Sequence, residues 1–336
     1  MTGMVPSAGE PITQWGLAID APLQLADPDS HDWSGEADMV VVGLGGAGIA
    51  AALQGLEEGL SVIALDQYEG GGSSAANGGV FYAGGGTAIQ REAGVKDDPE
   101  AMFAYLKHET RDVVSDATLR DFCQGSAATL EWLRSHGAPF EASYHPGKTS
   151  YPPIDKFLYH PDSSLSAPFR DLTPPAARGH RVRHRNGKKP WGIGAGLYNP
   201  LRAAALARGM VFHPQAEARQ LATDANGRVI GVRVLRFTDE ATRRKHARLM
   251  ARASGWMAML PGTFPGSRLT MAMGYRLLAK ARALEATARR SEWIRARKGL
   301  VLSAGGFICN PAMVSHFAPA YAPGLPNGTL GDNGSG

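Results

Sequence analysis

Four apolar residues, Met39-Val40-Val41-Val42, run straight into the glycine ladder Gly43-Leu44-Gly45-Gly46-Ala47-Gly48. Beyond it Ile49, Leu53, Leu56 and Leu60 recur at helical spacing, and Val62-Ile63-Ala64-Leu65 forms a second short apolar run that ends at Asp66. A buried strand, a tight turn, an amphipathic helix and a second buried strand are the opening of a Rossmann-like α/β fold built on a parallel sheet. Farther on, Pro99 to Glu109 reads as a helix. Asp116 is placed to cap another, whose apolar stripe Leu119, Phe122, Cys123, Leu130 and Leu133 stops at Gly137. Tyr144 to Pro190 is rich in proline, histidine and arginine without a period, so loop and short strand are expected there. Tyr198 to Ala207 returns to helix, and Asp224-Ala225-Asn226-Gly227 separates two β-like runs between Val211 and Val234 as a hairpin turn would. From Glu240 to Arg297 the pattern is helical and basic, broken between Pro261 and Pro265, before Leu300-Val301-Leu302 reverts to strand and runs into Ser303-Ala304-Gly305-Gly306. Met1 to Gly35 has no helical or strand period and is expected to be an arm.

The glycine positions carry the first chemistry. Gly43, Gly45 and Gly48 occupy the three places of a GxGxxG turn, with Gly46 and Ala47 between them, where backbone amides at a helix N-terminus approach a pyrophosphate. Asp66, followed by Gln67, lies about where an acidic side chain accepts the adenosine ribose hydroxyls. The chain then spends Ser73, Ser74, Asn77, Gly78 and Gly79 at once, with Gly84-Gly85-Gly86 soon after. Small residues let amides come close to a planar ring, serine hydroxyls reach phosphate oxygens, and Asn77 offers amide hydrogen bonds. A nicotinamide enzyme would pass from the acidic residue into an ordinary crossover, so this order points to a flavin.

Composition narrows the class little. Of 336 residues 43% are hydrophobic and 20% charged, which is ordinary for a globular protein of more than one domain, while the 42 glycines cluster in the loops expected to meet the cofactor. Cys123 and Cys309 are the only cysteines and stand apart from any Cys/His cluster, which argues against a disulfide framework and against a metal. No apolar run approaches the length of a membrane span, and the cytoplasm is the expected location. The net charge of +4 is concentrated in Arg178, Arg181, Arg183, Arg185, Lys188 and Lys189, and again from Arg243 to Arg252. Neither run carries a nucleic-acid reading motif, so both read as solvated faces.

The GLGGAG turn, the GGSSAANGG stretch, the late LVLSAGGF segment and the closing GDNGSG together resemble the FAD-binding subunits of fumarate reductases and succinate dehydrogenases. Within that family the middle stretch, from Lys148-Thr149-Ser150-Tyr151-Pro152 through Ala177-Arg178-Gly179-His180-Arg181, is more similar to the 3-ketosteroid dehydrogenases. The resemblance implies FAD as cofactor, a small antiparallel sheet laid on the flavin domain, a backbone contact to adenine at Ala216, and close passage of Ala304, Gly305 and Gly306 by the cofactor. It also implies that Asp332 and Gly334 lie near the ribityl and phosphate region. Succinate dehydrogenases attach FAD through a histidine whose place is taken here by Gly72, so FAD is expected to be non-covalent. Family members continue well past the GDNG segment, and the resemblance therefore implies an N-terminal fragment or truncated member. The division it suggests is an arm (1–35), a flavin domain (36–236, with the irregular insertion 144–190), a helical insertion (237–297) and a returning flavin segment (298–336) with the beginning of a cap.

For a complete relative the implied reaction moves a hydride between the β carbon of a cyclic ketone and flavin N5, with a base for the α proton and a donor for the enolate oxygen. Tyrosines serve such roles in ketosteroid dehydrogenases. Tyr321 is named first here, before Tyr151, Tyr159 and Tyr82, while Arg178 and His180 are expected to anchor a loop or else to face a carbonyl or a carboxylate. The substrate implied is a small lipophilic, steroid-like ketone, with no electron acceptor indicated. The alternatives are a dicarboxylate oxidoreductase of the fumarate reductase kind and a flavin-binding fragment without activity.

Overall fold

The computed structural model describes residues 11–12, 15–17, 19–184, 192–257, 259–260, 264–324 and 326–336. They form two compact units, one from Met1–Gly70 with Arg208–Gly336 and the other from Gly71–Ala207.

The first unit is built on a seven-stranded sheet ordered Val211–Pro214, Val62–Asp66, Gly35–Val42, Arg289–Leu302, Val229–Phe237, Ala216–Thr223 and Leu23–Gln24. The first four strands are mutually parallel, with Val40 beside Ile63 on one side and Leu300 on the other. The predicted hairpin forms around Asp224–Gly227, pairing Ala216–Thr223 antiparallel with Val229–Phe237. It is not a separate sheet laid on the domain. Arg289–Leu302 pairs antiparallel with Val229–Phe237 and parallel with Gly35–Val42, so hairpin and parallel strands share one ladder. The core runs across the join: Val40, Val42, Ile63 and Leu65 pack in one cluster with Ala216, Val232, Val234, Ile294 and Ala296. Burying each of the larger aliphatic side chains contributes roughly 1.5–3 kcal/mol.

Two expectations are corrected here. The helical stretch expected to reach Arg297 ends at Ala288, and a strand of 14 residues begins at Arg289. Local preference yields to the ladder on both edges of Arg289–Leu302 and to the burial of Ile294 and Ala296. The arm is not featureless either, because Leu23–Gln24 pairs with Ala222 and Thr223 at the sheet edge and Gly35 opens the strand that leads to the glycine turn. The basic stretch itself folds as two helices, Glu240–Met257 and Ser267–Ala288, which approach closely. A Cβ on Gly274 would stand 3.0 Å from the Ala253 carbonyl oxygen. Pro261 lies outside the described residues.

The second unit carries the helices Pro99–Thr110, Asp116–Ser135 and Ala195–Ala207. The irregular stretch supplies three strands, Tyr144–Lys148, Leu158–His160 and Gly179–Arg181, which with Val80–Tyr82 make a four-stranded sheet. Arg185, Lys188 and Lys189 lie outside the described residues. Ser115, not Asp116, caps the long helix by accepting the Thr118 N–H at 3.2 Å, and Asp116 in the first turn pairs with Lys107 at 2.8 Å. Among the described residues, no helix is long and apolar enough to cross a membrane.

Candidate cofactor site

At the end of the strand Gly35–Val42 the chain turns sharply, and three hydrogen bonds hold the turn. The Gly43 N–H donates to the Leu65 carbonyl at 2.8 Å, the Ser303 N–H donates to the Val42 carbonyl at 2.8 Å, and the Ser303 hydroxyl donates to the Gly43 carbonyl at 2.7 Å. Gly43 has φ +92°, and a Cβ on it would stand 2.4 Å from the Ser303 carbonyl oxygen. A Cβ on Gly48 would stand 1.9 Å from the Gly43 oxygen. Only glycine admits this interlock of turn, helix and return strand. The helix Gly46–Glu57 that follows has Gly45 at its N-cap with no side-chain cap and no acidic residue in its first turn. A helix start left this way presents amide donors and the positive end of its dipole to an anion.

Asp66 is held beside the turn. Its Oδ2 accepts the Leu44 N–H and its Oδ1 the Tyr68 N–H, both at 2.8 Å. Each oxygen keeps a further acceptor site for a hydroxyl. Gln67 follows, half-buried. Ala216 is brought to the same end of the sheet: Pro214 is registered with Asp66, and the Gln215 N–H donates to the Tyr68 carbonyl at 2.8 Å.

The returning segments also meet. The Gly334 N–H donates to the Gly306 carbonyl at 2.9 Å and the Cys309 N–H to the Asp332 carbonyl at 2.9 Å. The Asp332 carboxylate accepts the Thr329 N–H at 2.8 Å, and Gly305, with φ +85°, passes so close that a Cβ would stand 2.6 Å from its Oδ1. Ala304 lies at the same crossing, 3.1 Å from where a Cβ on Gly336 would be. The GG and GDNG segments, 25 residues apart in sequence, are thus one backbone-bonded structure.

Ser73, Ser74, Asn77, Gly78 and Gly79 open the second unit. The serines sit in the short helix Gly72–Ala76, Asn77 Oδ1 accepts the Gly79 N–H at 2.7 Å, and the Gly194 N–H donates to the Asn77 carbonyl at 3.0 Å. Tyr151 lies against Gly78, with ring carbon Cε1 3.3 Å from where a Cβ on Gly78 would be.

The tyrosines separate into two kinds. Tyr82 donates to Asp162 Oδ2 at 2.7 Å, and burial together with that carboxylate pushes its hydroxyl far above the usual phenol range. Tyr159 is buried and pushed up to about 12 by that burial. Neither is suited to give up a proton near neutral pH. Tyr321, in the turn Pro319–Tyr321, is 72% exposed, as Tyr151 is at 66%. Arg178 and His180 anchor a loop rather than face a substrate. Arg178 is fully buried and bidentate to Asp97 at 3.0 and 2.7 Å, and the same carboxylate accepts the Gly85 N–H at 2.9 Å. His180 Nε2 lies 2.9 Å from the Thr87 hydroxyl, and burial pushes its imidazole down to about 4.

One group of bonded residues has no signature in the sequence. Gln215 has φ +54° without being glycine, is buried, and donates from Nε2 to Glu69 Oε1 and to the Arg243 carbonyl. Its Oε1 faces His246 Nδ1 at 2.8 Å, and His246 Nε2 lies 2.7 Å from Glu285 Oε1. Burial alone would raise the Glu285 carboxyl, yet His246 and Arg289 hold it below the usual carboxylate range. The hairpin of helices is therefore bonded to the residue that sets the backbone before Ala216. No local signal marks it, because the partners are 31 and 39 residues apart.

Residues 38–334 match the family described as FAD binding domain. The chain is 33% identical over 324 residues to the 3-oxo-5-alpha-steroid 4-dehydrogenase of Comamonas testosteroni, covering 94% of this chain and 57% of that protein. It is 26% identical over 249 residues to the acrylate reductase flavoprotein subunit of Shewanella woodyi, covering 72% and 43% respectively. Its fold is similar, with a TM-score of 0.73 and 26% identity, to that of the 3-ketosteroid-delta4-(5alpha)-dehydrogenase of Rhodococcus jostii RHA1 in complex with 4-androstene-3,17-dione, over 93% of this chain and 54% of that one. The chain spans about half the length of the relatives it matches. The uncapped helix start, the glycine interlock that keeps it open and the fixed Asp66 carboxylate suit a dinucleotide's pyrophosphate and ribose. The chain belongs to the FAD binding domain family, and its cofactor is FAD.

Proposed function

We propose that the protein is a FAD-dependent oxidoreductase of the 3-ketosteroid dehydrogenase kind, acting on the CH–CH bond beside the ketone of a steroid-like substrate. The observation that carries the cofactor half of this reading is the interlock of Gly43, Gly48 and Ser303 at a helix start without a cap. The substrate half rests on the likeness to the Comamonas and Rhodococcus enzymes along almost the whole of this chain.

When bound, FAD supplies the two-electron carrier that exchanges a hydride at N5. The rest falls to the chain. The amides of Gly45, Gly46, Ala47 and Gly48 hold the pyrophosphate, Asp66 takes the ribose hydroxyls, and the backbone at Gln67 and Ala216 borders the adenine. Ser73, Ser74 and Asn77 with Gly78 and Gly79 contribute polar groups and open backbone toward phosphate and ring. Ala304, Gly305, Gly306, Asp332 and Gly334 line the ribityl and phosphate side. Gly72 has no side chain that could bond the flavin, so FAD is held non-covalently. Tyr321, exposed and not committed to a carboxylate as Tyr82 is, serves as the proton-handling tyrosine. The reaction takes place in the cytoplasm.

The test is an absorbance spectrum of the purified protein before and after denaturation, repeated anaerobically with a saturated 3-ketosteroid. Yellow cofactor that is released on denaturation and bleached by the steroid is the expected result. Bleaching by succinate instead would move the substrate assignment to dicarboxylates. Flavin bound tightly but reduced by neither would confine this chain to cofactor binding.

A further inference from the structure

The hairpin of helices Glu240–Met257 and Ser267–Ala288 is set between two strands of the main sheet and is bonded to Gln215, beside Ala216, through His246 and the Arg243 carbonyl. Its outer surface has an unusual composition. From Glu240 to Ala288 there are nine Lys or Arg against two Glu, and between Glu240 and Glu285 there is no acidic residue. Both glutamates are engaged at the base, Glu240 with Arg243 and Arg244 at 2.7 Å and Glu285 with His246 and Arg289.

The exposed side chains fall on defined faces. On the second helix Arg268, Leu269, Tyr275, Arg276 and Lys280 are exposed, and their helical spacing gathers them into one stripe. On the first helix Arg244, Lys245, Arg248 and Arg252 make a second exposed row. Leu269 is 70% exposed and Tyr275 54%, while Met259 and Phe264, in the connection between the helices, are 54% and 58% exposed. Large apolar side chains alternating with arginine and lysine on one helix face are suited to an interface that is apolar on one side and anionic on the other.

We propose that this hairpin docks the protein on the surface of an anionic phospholipid bilayer, with the basic rows over the headgroups and Leu269, Tyr275, Phe264 and Met259 entering the acyl boundary. Charge complementarity selects this occupant. A second copy of the same face would meet a like excess of positive charge, and a nucleic-acid backbone would leave Leu269 and Met259 without a partner. The proposal is independent of which ketone the enzyme takes, and it needs no membrane-spanning segment. It has a consequence for a lipophilic substrate, which partitions into bilayers and would be met there.

The experiment is co-sedimentation of the FAD-loaded protein with vesicles of phosphatidylcholine alone or mixed equally with phosphatidylglycerol. Binding to the mixed vesicles only, weakening as salt is raised, is expected. Arg248→Glu combined with Arg252→Glu should lower the partition coefficient by at least about tenfold. Leu269→Glu should lower it by about tenfold while leaving retained FAD and the melting temperature of the holoprotein unchanged. Four outcomes overturn the proposal: no dependence on phosphatidylglycerol, binding unaffected by Leu269→Glu, displacement from vesicles by a short DNA duplex that binds more tightly, or a stable dimer that Leu269→Glu dissociates. The salt and lipid dependence of the unmodified protein decides the matter should a variant fail to fold.

Discussion

Gly48 and Gly55 lie on the same helix, and replacing each by alanine separates a cofactor-shaping glycine from a packing one. Alanine is favoured over glycine in a helix interior by about 1 kcal/mol, so propensity alone predicts that both changes stabilise. The surroundings differ. At Gly48 the new Cβ would stand 1.9 Å from the Gly43 carbonyl oxygen and 2.8 Å from the Ser303 hydroxyl oxygen, and the Gly43 oxygen is backbone already tied to Ser303. The helix start must shift by more than an ångström, or the turn must open. Overpacking of this kind costs typically 1–3 kcal/mol, which exceeds the propensity gain. At Gly55 the Cβ would stand 2.3 Å from the Met39 methyl, the far end of a flexible side chain that can turn away. Gly55→Ala should therefore lie within about 1 kcal/mol of the parent. Gly48→Ala should also move the amides that meet the pyrophosphate, and a loss of about 2 to 3 kcal/mol of charge-assisted hydrogen bonding corresponds to roughly 30- to 150-fold in FAD affinity. Urea unfolding of the apoprotein and titration of flavin fluorescence measure the two quantities. A Gly48→Ala protein that binds FAD as tightly as Gly55→Ala does would refute the reasoning, because the interlock would then have no bearing on the cofactor.

Replacing His246 by Phe keeps the ring packing but strands the buried Gln215 oxygen and one Glu285 oxygen, so urea unfolding should show a loss of about 2–4 kcal/mol, and His246→Gln, which keeps an N–H donor, should recover part of it. Asp97→Leu should cost about 3–5 kcal/mol by leaving the Arg178 charge buried and uncompensated, and adding Arg178→Met should recover part of that loss but not all of it, because the Gly85 N–H and Gln90 Nε2 still lose the carboxylate, as a double-mutant cycle in urea would record. His180 is held neutral, its imidazole down at about 4 against 6.5 for an ordinary histidine. The unfolded chain therefore binds the extra proton first as pH falls. Stability is full above about 6.5 and declines by up to about 3 kcal/mol as pH drops toward 4, and a His180→Gln protein should lack that slope between the two values. Tyr321→Phe should leave FAD affinity unchanged and lower the rate of steroid-dependent bleaching at least about 100-fold, the size expected for loss of an acid–base group; equal rates would remove Tyr321 from the chemistry.

What the sequence made legible has a common physical origin. The turn at Gly43 to Gly48, the Asp224–Gly227 hairpin and the Gly305 crossing each require a backbone that side chains forbid, so the requirement is written as residue type at the position itself. The first part of the strand Arg289–Leu302, up to Arg297, was hidden for the opposite reason. Its fate is decided by two neighbouring strands far away in sequence, and Arg290, Glu292, Arg295 and Arg297 mask the inward Ile294 and Ala296. Ser303 contributes a hydroxyl to the turn at Gly43 from 260 residues away, and nothing beside it in the chain announces that. Gln215 is the sharpest case. Its left-handed backbone would ordinarily call for glycine, yet here Tyr68, Glu69, Arg243 and His246 all hold it from outside, and a conformation stabilised by four distant partners leaves no local trace. The same distinction applies to Arg178 and His180, whose residue types suited either a carbonyl or a structural anchor until burial and the Asp97 carboxylate decided for the anchor. Residues whose role is set by their own backbone can be read one at a time. Residues whose role is set by a partner can be read only once the fold has chosen the partner, and in this protein the second kind connects the helical hairpin to the cofactor end of the sheet.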